Sequence, residues 1–142
     1  MTSHLLLELI NLLANAFLVG LIWIIQCVHY PSFYFIERHA PAFHSFHVRS
    51  ISIIVAPLMT IELFSSILLF YLNQDVLFGA LILLLAIIWL STFFIQMPIH
   101  EKLKREWNKK QVDYLIQSNW IRTILWSIKL VILAWVFYVT SN

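Results

Sequence analysis

Four stretches of the chain are apolar for long enough to cross a membrane, at about 5–29, 43–72, 76–100 and 117–139. A helix needs roughly 20 mainly apolar residues to span the hydrocarbon core of a bilayer. The runs are rich in Leu and Ile and lack the alternation of a transmembrane strand. The pattern therefore predicts an all-α protein, an integral membrane antiparallel four-helix bundle forming one domain over 1–142.

Polar residues interrupt each run at helical spacing. The first carries Asn15, Gln26 and His29 in line with Ile22, and the second carries His44, His47 and Glu62 in line with Ile51, Val55 and Leu58. The third carries Trp89, Thr92, Gln96 and His100, and the fourth carries Asn119, Arg122, Trp126 and Lys129. Steps of three and four return to one helical face, and polar groups in a membrane turn away from lipid. Four such faces predict a bundle with a polar interior.

The connections set the orientation. Asn73-Gln74-Asp75 is a tight turn, whereas 30–42 and 101–116 are expected as longer loops. Arg38, Arg49, Lys102, Lys104, Arg105, Lys109, Lys110 and Arg122 all lie in or beside those two loops, leaving Lys129 within a run. Cytoplasmic connections carry excess Lys and Arg, which puts both loops in the cytoplasm and both termini outside, in an inner (plasma) membrane. No Lys or Arg precedes the first run and no small-residue cleavage site follows it, so it reads as a retained span. The segment 101–117, with Leu103, Trp107, Val112 and Tyr114 among its charges, is suited to lying at the lipid interface.

Composition narrows the classes. The 142 residues are 61% apolar and 11% charged, with a single cysteine, too little charge to clothe a soluble domain. A soluble enzyme, a disordered tail and a disulfide-stapled module are excluded. The net charge of +2 gives no reason to expect nucleic acid; the bilayer is the expected partner, with self-association open.

The chemistry collects in two layers. His29, His44, His47 and His100 end or begin spans at one mouth of the bundle, with His39 in the loop beside them. An i, i+3 pair such as His44 and His47 projects two imidazoles from one face, and bundles build metal sites from facing helices. Iron, copper or zinc is one expectation. Haem is another, held axially by histidine with Phe43, Phe46, Trp120 and Trp126 against the porphyrin. Gln26 and Gln96 are expected to orient the imidazoles, Asn119 to border the pocket, and Arg49 and Arg122 to grip an anionic substrate or propionates. The deeper layer pairs Glu62 with Lys129 beside Asn15, since a lone charge at that depth is costly.

The segments Gly20-Leu-Ile-Trp-Ile-Ile-Gln26-Cys-Val-His29-Tyr-Pro31, Phe43-His44-x-x-His47-x-Arg49, Pro57 with Glu62, Gln96-x-Pro98-x-His100 and Asn119-Trp120-x-Arg122-Thr123-x-x-Trp126 resemble small four-span bacterial membrane proteins of unassigned role. The layout is more distantly similar to the anthrone-oxygenase-like membrane family, a resemblance that implies oxidation of an aromatic or lipid-soluble substrate. Three functions follow as expectations: a metal- or haem-dependent membrane oxidoreductase, a transporter or ligand-binding protein using Arg122, Glu62 and Lys129 without metal, and a structural subunit of a larger complex.

Overall fold

A computed structural model describes residues 3–36 and 40–142. They fold into four helices: α1 Ser3–Phe35, α2 Pro41–Asn73, α3 Val76–Arg105 and α4 Lys109–Ser141, each long and apolar enough to cross a membrane. Arg38 and His39 lie outside the described residues.

The helix ends follow from local chemistry. Gln74 adopts a left-handed φ of 51°, and its N–H donates to the Phe70 carbonyl at 2.8 Å, closing α2 in the manner of an αL cap. The Asp75 carboxylate then accepts the Phe78 N–H at 2.9 Å and opens α3. Asn108 does the same for α4, its side-chain oxygen accepting the Lys110 N–H at 2.9 Å.

The other two connections are shorter than the sequence suggests, correcting the loops expected at 30–42 and 101–116. Helix α1 continues to Phe35, and only Glu106–Asn108 separate α3 from α4. The Lys, Glu and Gln residues of that segment are good helix formers, so polarity there extends the helices instead of breaking them.

Helices α1 and α3 each contain one π-helical turn, Ile25–His29 and Thr92–Gln96. Pro31 and Pro98 stand two residues beyond these turns. A proline offers no N–H to the carbonyl four residues back and its ring crowds that carbonyl. Widening the preceding turn lets the helix pass through: Tyr30 N–H reaches Ile25 O and Met97 N–H reaches Thr92 O. Such turns recur at functional sites, and here both lie level with the candidate pocket.

Around the bundle α1 packs on α2 and α4, and α3 closes the ring on the other side. Three apolar clusters stack along the axis, centred on Leu103 and Leu115, on Leu18 and Trp126, and on Leu69 and Leu133. The outer surface is itself apolar, with Phe17, Ile53, Phe64, Phe94 and Trp135 exposed. Buried polar groups thus lie among apolar clusters while the outer surface is apolar, where a water-soluble bundle would be charged and polar. Helices α2 and α3 touch beside their turn and again toward their far ends, but contact is sparse where α2 passes Thr92–Gln96.

Candidate functional site

The deeper polar layer is closed. Glu62, Lys129 and Asn15 are fully buried, and the Lys129 ammonium donates to Glu62 Oε1 at 2.8 Å and to Ser66 Oγ at 3.3 Å. Asn15 Nδ2 donates to the same carboxylate oxygen at 2.8 Å, and the Trp126 indole N–H donates to Oε2 at 3.1 Å. Three donors, one of them a cation, thus satisfy a single carboxylate that bridges diagonal helices α2 and α4. Sequence spacing did not single out the neighbouring Asn11, whose amide reaches Ser65 Oγ at 2.6 Å and Ser66 Oγ at 2.8 Å. Nor did it link Trp126 to Glu62.

The four histidines meet at one end of the bundle, but their lone pairs do not converge. His29 and His47 stack face to face with ring centroids 3.8 Å apart, a spacing that leaves no room for a porphyrin between them. His100 Nδ1 and His44 Nε2 lie 3.1 Å apart and share a hydrogen bond, and His100 Nε2 lies 3.2 Å from the Tyr30 hydroxyl. The result is a phenol–imidazole–imidazole chain ending at His44 Nδ1, which is buried and unpartnered, as is His29 Nε2. Among the described residues no group of three or more His, Cys, Asp or Glu is placed to hold a metal ion.

Aromatic rings wall this cluster. Phe33 meets His29, His44 and His47 edge-on, Trp107 covers Phe33 and His44, and Phe43 stacks on His29. Phe46 and Trp120, expected beside the site, are instead exposed, Trp120 packing on Trp23. Cys27 is also exposed.

Gln26 and Gln96 do not orient imidazoles. Gln26 donates to the Ile116 carbonyl at 3.1 Å and accepts from Asn119 at 2.7 Å, and Gln96 donates to Ser118 Oγ at 3.1 Å. Both glutamines belong to the π turns, where the widened backbone aims them at α4. Arg49 is exposed and does not border the pocket.

Arg122 is 7% exposed. Its Nε and Nη2 donate to Asn119 Oδ1, Nε at 3.0 Å, and Nη1 reaches Thr92 Oγ1 at 3.4 Å. The guanidinium also lies 5.8 Å from the Trp126 ring centroid and beside the Tyr30 phenol. These partners are all neutral, and among the described residues no carboxylate pairs with it. It borders a cavity of about 500 Å³ that Tyr30, Gln96, His100 and Trp126 also line. Gln96 Oε1 and Trp89 Nε1, both on residues lining that cavity, are buried without partners.

Sequence reasoning found Arg122 and expected a pocket beside it, but missed Tyr30 and Thr92 as its neighbours. The signal for Tyr30 was its place directly after His29 and before a proline that does not end the helix. No protein-family model matches the chain, and neither a curated protein nor a solved structure matches it.

Proposed function

We propose that this chain is a multi-pass membrane protein, an antiparallel bundle with both termini outside and its basic connections cytoplasmic. In this reading it binds a lipid-soluble molecule through a negatively charged group seated on Arg122. One observation carries it: a buried guanidinium with neutral partners only, on the wall of a cavity of about 500 Å³. An uncompensated charge at such depth is costly, so ionisable groups within spans usually have a partner or mark a substrate pathway. Lys129 has its carboxylate; Arg122 has an open space. The cavity is within the range of small-molecule sites and combines apolar walls with a few polar groups. The ligand's charged head belongs at the polar side of the cavity, where Tyr30, His100 and Arg122 line it. The Tyr30–His100–His44 chain supplies neutral acceptors and donors beside that head, a supporting part rather than the anchor.

The test is native mass spectrometry of the protein in neutral detergent, titrated with hexanoate, 1-naphthoate and oleate. At least one of these carboxylates should bind, and Arg122→Gln should weaken it by tenfold or more, the loss appropriate to one charge-assisted contact. Equal binding of all three by the wild-type protein and the variant would remove the reading.

A further inference from the structure

The shape of the cavity narrows the ligand class. Its polar lining, Tyr30, Gln96, His100 and Arg122, lies toward the end of the bundle that carries Lys102, Lys104 and Arg105. Its other end is lined by Leu18, Val55, Met59, Trp89 and Trp126. Ser52, Ala56 and Thr60 of α2 and Phe93 and Met97 of α3 also line it, and all five are exposed on the outer surface. The cavity therefore opens sideways, between α2 and α3, at the level where those helices part. Pro57 stands in α2 beside this opening.

We infer that the ligand is a long-chain monocarboxylate that enters sideways from the bilayer, head on Arg122 and chain along the apolar end and the α2–α3 opening. This rests on the binding reading above. The direction of the gradient is the first support. A lipid in the leaflet bordering the basic end already has its head toward that end and its chain toward the midplane. It slides into the cavity without turning over. Charge count is the second. Arg122 is the one unpaired cation on the cavity among the described residues, because Lys104 at the rim is held by Glu101 at 2.5 Å. A single positive charge matches a carboxylate and leaves a phosphomonoester dianion half compensated. Small side chains at the rim are the third, since Ser52, Ala56 and Thr60 leave the gap unobstructed where a Leu or Phe in each place would close it.

Titration in neutral detergent with hexanoate, dodecanoate, oleate, 1-naphthoate and dodecyl phosphate tests this. Ala56→Trp and Ser52→Phe place a bulky group in the opening without touching the groups that hold the head. Oleate is expected to bind at least tenfold more tightly than hexanoate or naphthoate, and dodecanoate more tightly than dodecyl phosphate. Each rim variant is expected to weaken or slow oleate binding at least fivefold. Chain-length independence, preference for the phosphate, or rim variants without effect would overturn the inference while leaving Arg122-dependent binding in place. If no probe depends on Arg122, the binding reading itself falls.

Discussion

The bundle holds two buried cations, Arg122 and Lys129, about two helical turns apart on α4, and it treats them differently. Lys129 sits in a closed layer: its carboxylate, Glu62, is itself met by Asn15 and Trp126, and every one of those side chains is nearly or fully buried. Arg122 sits in an open layer, with an amide, a hydroxyl and a phenol for company and a cavity in front of it. Trp126 divides them, its indole N–H on Glu62 and its ring under the Arg122 guanidinium. A buried charge that is fully met by its own chain holds helices together; one that is met by neutral groups only is, on the reading proposed above, the seat of a ligand.

The largest effect is expected from breaking the closed layer. Glu62→Gln leaves the Lys129 ammonium buried without a counter-charge, and removing one partner of a buried pair costs about 3–5 kcal/mol. Thermal unfolding in detergent should show a large loss for Glu62→Gln and for Lys129→Met singly. The double variant should lose less than the two losses added, because each removes the same interaction. Simple additivity would mean that Glu62 and Lys129 do not act as a pair.

The open layer should respond with the opposite sign. Arg122→Gln removes an unpaired buried charge, so the ligand-free protein should become more stable, by about 1–2 kcal/mol, in line with neutral replacements of buried ions. The same substitution abolishes the anchor. Stability gained with binding lost is the signature of a charge kept for a ligand. A destabilisation like that of Glu62→Gln would place Arg122 among the structural charges and erase the distinction between the layers.

The sequence carried the two layers unequally. The closed layer was legible because Asn15, Glu62 and Lys129 are the residues that interrupt otherwise apolar runs near mid-span, where a charge needs an opposite charge. The histidine end was legible only as a gathering of residues. Helical spacing says which side chains share a face; it does not say whether four imidazoles present lone pairs to one point or stack on each other, as His29 and His47 do. The π turns before Pro31 and Pro98 add a residue to a helical turn and so shift the faces that a 3.6-residue count assigns to Gln26 and Gln96. Tyr30 enters the site through the first of those turns, and the cavity opens sideways because α2 and α3 part there, a tertiary property that no single run records.

Trp126 tests the divide between the layers with a smaller effect. Trp126→Phe keeps an aromatic ring under the guanidinium and deletes the hydrogen bond to Glu62, an interhelical bond in a membrane interior worth about 0.6–2 kcal/mol. The expected loss in thermal stability is about 1 kcal/mol, with Arg122-dependent carboxylate binding retained within about threefold, less than 1 kcal/mol on the scale where tenfold is about 1.4. Loss of binding on the scale of Arg122→Gln would show that the closed layer sets the position of the anchor and that the two are one site.

The smallest effect on binding is expected at His47, and it separates a ligand site at Arg122 from a metal site at the histidines. His47 meets its neighbours through ring faces: His29 at 3.8 Å between centroids, Phe33 and Tyr30 edge-on at 5.7 and 6.2 Å. Phenylalanine preserves a flat ring of similar volume in that stack, and volume-conserving swaps usually cost less than about 1.5 kcal/mol. His47→Phe should therefore change stability by less than that and leave carboxylate binding intact, since His47 does not border the cavity. Elemental analysis of the wild-type protein and the variant, purified without a tag, supplies the decisive contrast. A stoichiometric ion present in the first and missing from the second would mean that the imidazoles rearrange around a metal when one is supplied, and the open layer would then have been built for that ion. Equal metal content, with binding lost only at Arg122, assigns the open layer to the anion.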